Sequence, residues 1–314
     1  KLRPLLFVHG TAGSASQYQT QAQRFASNGY PLELIHAYEY STDGLVAVGA
    51  AATGALSPSL DAFIDGLLEA HDADQVYIAC HSLGTRVCTH YLGDPERAAK
   101  IAGYIGIDGQ TAESCPGDVP CMGVFVNPAG QVGDVNTHLP DEAHVQVATS
   151  AASFLGQFQL LLGVEALRTE ILPSGETARI SGRAVYFPAN SGAEGTTLEI
   201  WPVNPDTGHR QGDAPLETAD IGADGHWGPF DLDPQAHYEF RLVRPERSDH
   251  HFYRPPFVRD NHFVRMNTSR AGSAIEQNTH AGPDHASLVV SREMEWWTSK
   301  ETGNDVLEIA TTSP

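Results

Sequence analysis

Ser82 is the residue with the most chemical potential, because it stands at the centre of Cys80-His81-Ser82-Leu83-Gly84, between a strand-like run and a helical one. Val76-Tyr77-Ile78-Ala79-Cys80 is apolar without alternation, which predicts a strand covered on both faces, and Leu83, Val87, Cys88, Tyr91 and Leu92 recur at helical spacing. The pattern is G-x-S-x-G with cysteine in place of the first glycine. A corner of this kind strains the serine backbone and needs small residues two before and two after it, so that strand and helix can pass closely. Cysteine is small enough to fit. A chance S-x-G beside a strand-helix junction is the plain alternative, and the residues that follow argue against it.

A serine hydroxyl attacks a carbonyl only with a base to take its proton, and the base needs an acid to hold its tautomer and stabilise its cation. His144 opens AHVQVATS just before a helical run with Phe154, Leu155, Phe158, Leu161 and Leu162, and is the expected base. His138, after the loop GDVNTHLP, reads as a surface histidine. Two acids compete. Asp108 directly ends the buried run Ile101 to Ile107, whereas Asp134 lies in the loop after the next strand, Met122 to Val126, which itself ends in Asn127-Pro128. The orienting carboxylate must be rigidly held, which favours Asp108. Asp118, Asp134 and Asp141 then read as solvated loop residues.

A second buried run, Leu5 to Val8, ends in His9-Gly10-Thr11-Ala12-Gly13-Ser14. A loop of this kind beside a nucleophile provides backbone N–H groups for the charge that develops on a carbonyl oxygen; by position the donors are Thr11 and Leu83. Phosphate binding is the rival use of such a glycine-rich loop. It is disfavoured, because neither the Walker lysine nor dinucleotide spacing is present.

The elements that must position these groups alternate. Strands are expected at 5–8, 32–40, 76–80, 101–107, 122–126 and 145–147, with helices at 17–28 and 59–71 and after Ser82 and Ser150. Such alternation predicts a parallel, doubly wound sheet whose sites lie at the strands' C-terminal ends, where His9, Ser82, Asp108 and Asn127 all fall. Ser41 to Pro58 is rich in glycine and alanine, with an apolar cluster at Leu45, Val46 and Val48; it reads either as a small lid over a pocket or as a short helix packed on the core.

From about Pro173 the texture changes to alternating strands: ARISGRAVYFPAN, TTLEIWPVNPDTGHR, GHWGPFDLDPQAHYEFRLVR, HHFYRPPFVRD and ASLVVSREMEW. Asn204-Pro205-Asp206-Thr207-Gly208 reads as a turn. The expectation is an α/β catalytic domain at 1–172 with its lid at 41–58, followed by an antiparallel β-sandwich or barrel at 173–314. Histidines 209, 226, 237, 250, 251, 262, 280 and 285 show no metal-ligand spacing, and no cofactor or metal is implied. Trp201, Trp227, Phe257, Trp296 and Trp297 read as core.

The 314 residues carry a formal charge of −20, with 7 Lys+Arg against 18 Asp+Glu in residues 1–172 and 12 against 21 in the rest. Nucleic acid phosphates would be repelled across most of such a surface. No apolar run approaches a membrane span. Lys1 lies almost on the first strand, as in a chain whose leader has been removed, and export would permit a Cys115-Cys121 disulfide across CPGDVPC; two free thiols are the alternative.

The chain resembles the α/β-hydrolase lipases and carboxylesterases, above all two-domain lipases of archaeal type with a β-rich lipid-binding domain after the hydrolase domain. The stretches FVHGTAGSASQYQTQAQRFASNGYP, CHSLGT, DPERAAK before IGIDG, HVQVATSAASF and YRPPFVRDN carry the resemblance. It implies Asp108, in the IDG turn, as the acid of a Ser82-His144-Asp108 triad, and contact of the β domain with acyl chain or lipid surface. Two departures are Cys80 at the elbow and a segment 41–58 that is short for a lipase lid. Hydrolysis of short to medium acyl esters is therefore expected. An acyltransferase or amidase would share every one of these residues, a non-catalytic lipid-binding protein would not need the triad, and a dehalogenase would need aspartate at position 82.

Overall fold

A computed structural model describes residues 2–279 and Ser287. The strand expected in ASLVVSREMEW, Trp296, Trp297, His280 and His285 lie outside the described residues. In chain order the first part contains β1 (Leu5–Val8), α1 (Gln19–Ser27), β2 (Ile35–Tyr38), α2 (Gly44–Ala52), α3 (Ser57–His71), β3 (Val76–His81), α4 (Leu83–Leu92), α5 (Pro95–Ala98), β4 (Ile101–Ile107), β5 (Cys121–Phe125), β6 (Asn136–His138) and α6 (Ala151–Leu162). The six strands form one parallel sheet in the order β2-β1-β3-β4-β5-β6.

The central strands are apolar throughout because both faces are covered. On one face α3 and α4 bury Leu60, Ile64, Val87 and Tyr91; on the other α1 and α6 bury Ala22, Phe25, Phe154 and Phe158. Register sets Val8 beside Cys80 and His81 beside Ile107, which brings the C-terminal ends of β1, β3 and β4 together.

Three local expectations are corrected. Val145 to Val147 is no strand: Gln146–Ala148 is a single 3₁₀ turn leading to α6, and so short an apolar run fits either structure equally. Leu32–Leu34 is likewise a 3₁₀ turn, so that only Ile35–Tyr38 pairs. The sixth strand is Asn136–His138, whose polar sequence gives no strand signal; it is an edge strand recruited by pairing with β5.

Segment 41–58 forms α2 and the start of α3. Among its residues Leu45 and Val46 are 90% and 88% exposed, while Ala51 is buried and the Ala52 carbonyl accepts from His90 Nε2 of α4. No single helix among the described residues is long and apolar enough to cross a membrane; α2 and α3, which have the composition between them, are bent by 68° at their junction. Cys115 and Cys121 are disulfide-bonded, and so are Cys80 and Cys88, a pair the sequence reading did not foresee.

The second part contains β7 (Ala178–Tyr186), β8 (Ser191–Gly192), β9 (Thr197–Val203), β10 (Glu217–Asp220), β11 (His226–Leu232), β12 (His237–Val243), β13 (His250–Arg254), β14 (Asn261–Thr268) and the short helix α7 (Ala274–Asn278). One sheet runs β10-β9-β12-β13 and the other β11-β7-β14, with β8 paired to β7. All pairs are antiparallel except β7 with β14, which is parallel. Ile180, Leu198, Ile200, Trp227, Phe240 and Val264 fill the core, and Trp201 and Phe257 are buried as expected.

The two parts meet at a buried ion cluster. Glu39, just after β2, accepts from Arg265 Nε and Nη2 at 2.9 Å each, from Arg183 Nη1 at 2.6 Å, and from the Ala15 N–H at 2.8 Å. Burial alone would raise this carboxyl; the charge and hydrogen bonds of Arg265, with Ala15 and Arg183, outweigh burial and hold it at about 2. His262 Nε2 also donates to the Ile35 carbonyl at 2.7 Å.

Candidate active site

At the end of β3 the chain turns straight into α4, and Ser82 takes up φ +52° and ψ −120°, a conformation that side chains rarely adopt. The turn is held from outside. Ser82 N–H donates to the Ile107 carbonyl at 3.0 Å, and the Ser82 carbonyl accepts from Thr85 N and Oγ1 at 3.0 and 2.6 Å. Gly84 is obligatory, since a Cβ there would lie 2.5 Å from the His9 carbonyl oxygen, where α4 crosses the end of β1. Gly10 is equally tight: its Cβ would come within 2.8 Å of Ser82 Cβ, so the loop after β1 lies directly against the serine.

Cysteine at the first motif position also has a role in this packing. Cys80 reaches across the elbow to Cys88 on α4, so that strand and helix are tied covalently on either side of Ser82.

Asp108 ends β4 with φ +40° and a side chain 10% exposed. Its N–H donates to the Val124 carbonyl, and its Oδ1 accepts from the Val126 N–H at 3.1 Å. Its other oxygen accepts from His144 Nδ1 at 2.6 Å, and His144 Nε2 lies 2.9 Å from Ser82 Oγ. Because a carboxylate only accepts, the His144 proton is fixed on Nδ1, leaving Nε2 to receive the serine O–H. All three sequence-predicted residues are therefore in one hydrogen-bonded chain. Asp118, Asp134, Asp141 and His138 are exposed, and His138 Nε2 donates to the Gly130 carbonyl.

Leu83 is the first residue of α4, where a backbone N–H has no partner within its own helix. Thr11 is exposed in the loop that Gly10 presses against the serine. The ring nitrogens of His9 bond elsewhere. It is buried and neutral, its Nδ1–H donating to the Gly10 carbonyl, its Nε2 accepting from the Tyr40 N–H and its ring stacked on Tyr40 at 4.3 Å.

The sequence reading missed His81 and Gln17. His81 is fully buried; burial first, then the neighbouring His144 ring, pushes it down to about 3. Its Nε2–H donates to the His144 carbonyl at 2.8 Å, while Nδ1 accepts from the Gln17 amide at 2.8 Å. It thus fixes the backbone of His144. As a variable position in the motif, His81 carries no signal of this in sequence.

Among the described residues no group of three or more His, Cys, Asp or Glu is arranged to hold a metal ion. His250 bonds Thr268 and His251 bonds Glu239, contacts that belong to the β part's own framework.

Residues 176–271 match the family described as the lipase C-terminal domain. Among solved structures, a Listeria innocua gene product is 11% identical with a TM-score of 0.40, covering 54% of this chain and 97% of its own. The metagenome-derived lipolytic enzymes LipS and LipT give 17% and 0.27, covering 36% and 45%, and a soluble variant of Saccharomyces cerevisiae monoglyceride lipase gives 18% and 0.27, covering 36% and 38%. This chain thus spans less than half the length of either lipolytic neighbour. No curated protein matches in sequence. The chain thus joins a parallel six-stranded α/β sheet over residues 5–138 to a β-rich part in which residues 176–271 match the lipase C-terminal domain.

Proposed function

We propose that this chain is a serine hydrolase of carboxylic esters. The observation that carries the reading is the continuous hydrogen-bond path Ser82-His144-Asp108 at the C-terminal ends of β3 and β4. Ser82 Oγ attacks the ester carbonyl carbon while its proton passes to His144 Nε2, and Asp108 stabilises the resulting imidazolium without taking up a proton itself. The backbone N–H groups of Thr11 and Leu83 receive the oxyanion of the tetrahedral intermediate. Collapse breaks the bond to the alcohol oxygen, which takes the proton from His144, and an acyl-serine remains. Water then repeats the sequence: its proton goes to His144, its oxygen to the acyl carbon, and Ser82 recovers its hydrogen as the acid leaves.

Short to medium acyl chains fit the small segment 41–58 best. Its helix α2 has nine residues, about 13 Å at 1.5 Å each, and its large exposed apolar side chains are Leu45 and Val46. Contact with acyl chain or lipid surface falls to that helix and the β part. Disulfide pairing of all four cysteines supports export, since such bonds persist in oxidising compartments.

Ser82→Ala is the test of function: it is expected to lower kcat for a soluble nitrophenyl ester by roughly 10⁵- to 10⁶-fold, leaving only binding and oxyanion effects. Turnover that survives within an order of magnitude overturns the proposal.

A further inference from the structure

We infer that Asn190, contributed by the β part, is a positioning residue for the loop that supplies the oxyanion donor at Thr11, so that the catalytic site is incomplete without the second domain. The inference rests on the ester-hydrolase reading and extends it to a residue more than a hundred positions away from Ser82. Asn190 is 5% exposed and sits just beyond β7 at φ +56°. Its own backbone is fixed within the β part, the N–H donating to the Tyr186 carbonyl at 2.8 Å and the carbonyl accepting from Arg183 Nη2 at 3.1 Å. Its side-chain amide leaves that domain. Nδ2 donates to the Gly13 carbonyl at 2.9 Å and to the Tyr40 carbonyl at 3.0 Å, with His9 Nε2 at 3.3 Å. Two carbonyl acceptors require the amide nitrogen, not the oxygen, on that side.

What these bonds hold is the turn carrying Thr11. Gly13 N–H closes Gly10-Thr11-Ala12-Gly13 by donating to the Gly10 carbonyl at 3.2 Å, and Ala12, next to Thr11, is at φ +52°. Alanine pays a steric penalty in that region, so the turn keeps its shape only if its surroundings impose it. Two ties do so. Asn190 holds the Gly13 carbonyl, and Thr42 Oγ1 accepts from the Ala12 N–H at 3.0 Å. Thr42 is in turn anchored to the same β-part segment, its N–H donating to the Pro188 carbonyl at 3.1 Å. Both ties on the loop therefore end at residues 188–190. Oxyanion donors act by being set in place before charge develops, and a displacement of about 1 Å is enough to cost up to ~10²-fold in rate.

Asn190→Gly separates the amide from the backbone, because glycine accepts φ +56° without strain. The expected result is a kcat on a short soluble nitrophenyl ester lowered by roughly tenfold to a hundredfold with KM changed by less than about twofold, the signature of a contact effective only in the transition state. Binding of a trifluoromethyl ketone, whose adduct carries the oxyanion, should weaken by the same factor, while a purely structural role would leave that affinity unchanged in the folded fraction. Asn190→Asp, which keeps shape and backbone preference but turns a carboxylate oxygen toward two carbonyls, gives the same readout if the glycine variant does not fold. A folded variant with kcat and ketone affinity at wild-type level overturns the inference alone, since wild-type turnover would still depend on Ser82. Wild-type turnover that is indifferent to Ser82→Ala would instead remove the hydrolase reading and the inference with it.

Discussion

Asp108 and Asp134 occupy neighbouring strand ends in sequence, yet only one of them has a fixed direction. Asp108 is anchored by its own N–H to Val124 and by Oδ1 to the Val126 N–H, which aims Oδ2 at His144; Asp134 is exposed in a loop before the edge strand. Asp108→Asn is therefore expected to lower kcat by about 10⁴, because the amide no longer enforces the Nδ1–H tautomer, while Asp134→Asn stays near wild type. Steady-state kinetics on a soluble ester checks both, and the reverse order of effects would move the acid to the next strand end. Ser82, Asp108 and His144 were legible because each sits at a junction that apolar runs define. His81, Gln17 and Asn190 were not: each acts through a backbone carbonyl or ring nitrogen brought near by folding, and a lone polar residue in sequence does not name its distant acceptor.

At the scale of elements, apolar runs such as Leu5–Val8 and Ile101–Ile107 announced the strands because burial on both faces leaves no polar position in them. The same rule failed for Val145 to Val147, too short to choose between strand and turn, and for Asn136–His138, where pairing with β5 decides the structure. Cys80 read as a tolerated departure from glycine; its bond to Cys88 depends on how α4 folds back beside β3, which the spacing of eight does not reveal. On the proposed reading α2 is the element that bears on substrate, through its exposed Leu45 and Val46. Across a series of nitrophenyl esters from acetate to palmitate, kcat/KM is expected to peak among the short and medium chains, with no jump as substrate passes its solubility limit. Rates that climb to palmitate and rise on emulsification would show that the β domain completes a long-chain groove with α2.

At the scale of the whole molecule, the two parts are joined by charge as well as by the Asn190 bridge. Glu39 is held at about 2 against an ordinary value of 4.5, so its ion cluster contributes full stability above pH 4.5 and loses it as pH falls through about 2. The shift corresponds to on the order of 3 kcal/mol. Glu39→Gln is expected to be less stable at neutral pH and to lose less on acidification from pH 5 to pH 3, as followed by urea unfolding; an acid slope equal to that of the wild type would contradict this role. The domain order was legible from the change of texture near Pro173, but the contacts that tie the β part to Glu39 and to the loop after β1 were not, because Arg183, Asn190 and Arg265 lie on strands and turns whose partners belong to another sheet. The most direct test of the account is covalent: treatment with a phosphonate ester, followed by mass spectrometry of the intact chain and its peptides. One equivalent is predicted on the peptide containing Ser82, absent in Ser82→Ala and slow to form in Asp108→Asn. Label on a different serine, or undiminished label in Ser82→Ala, would contradict it.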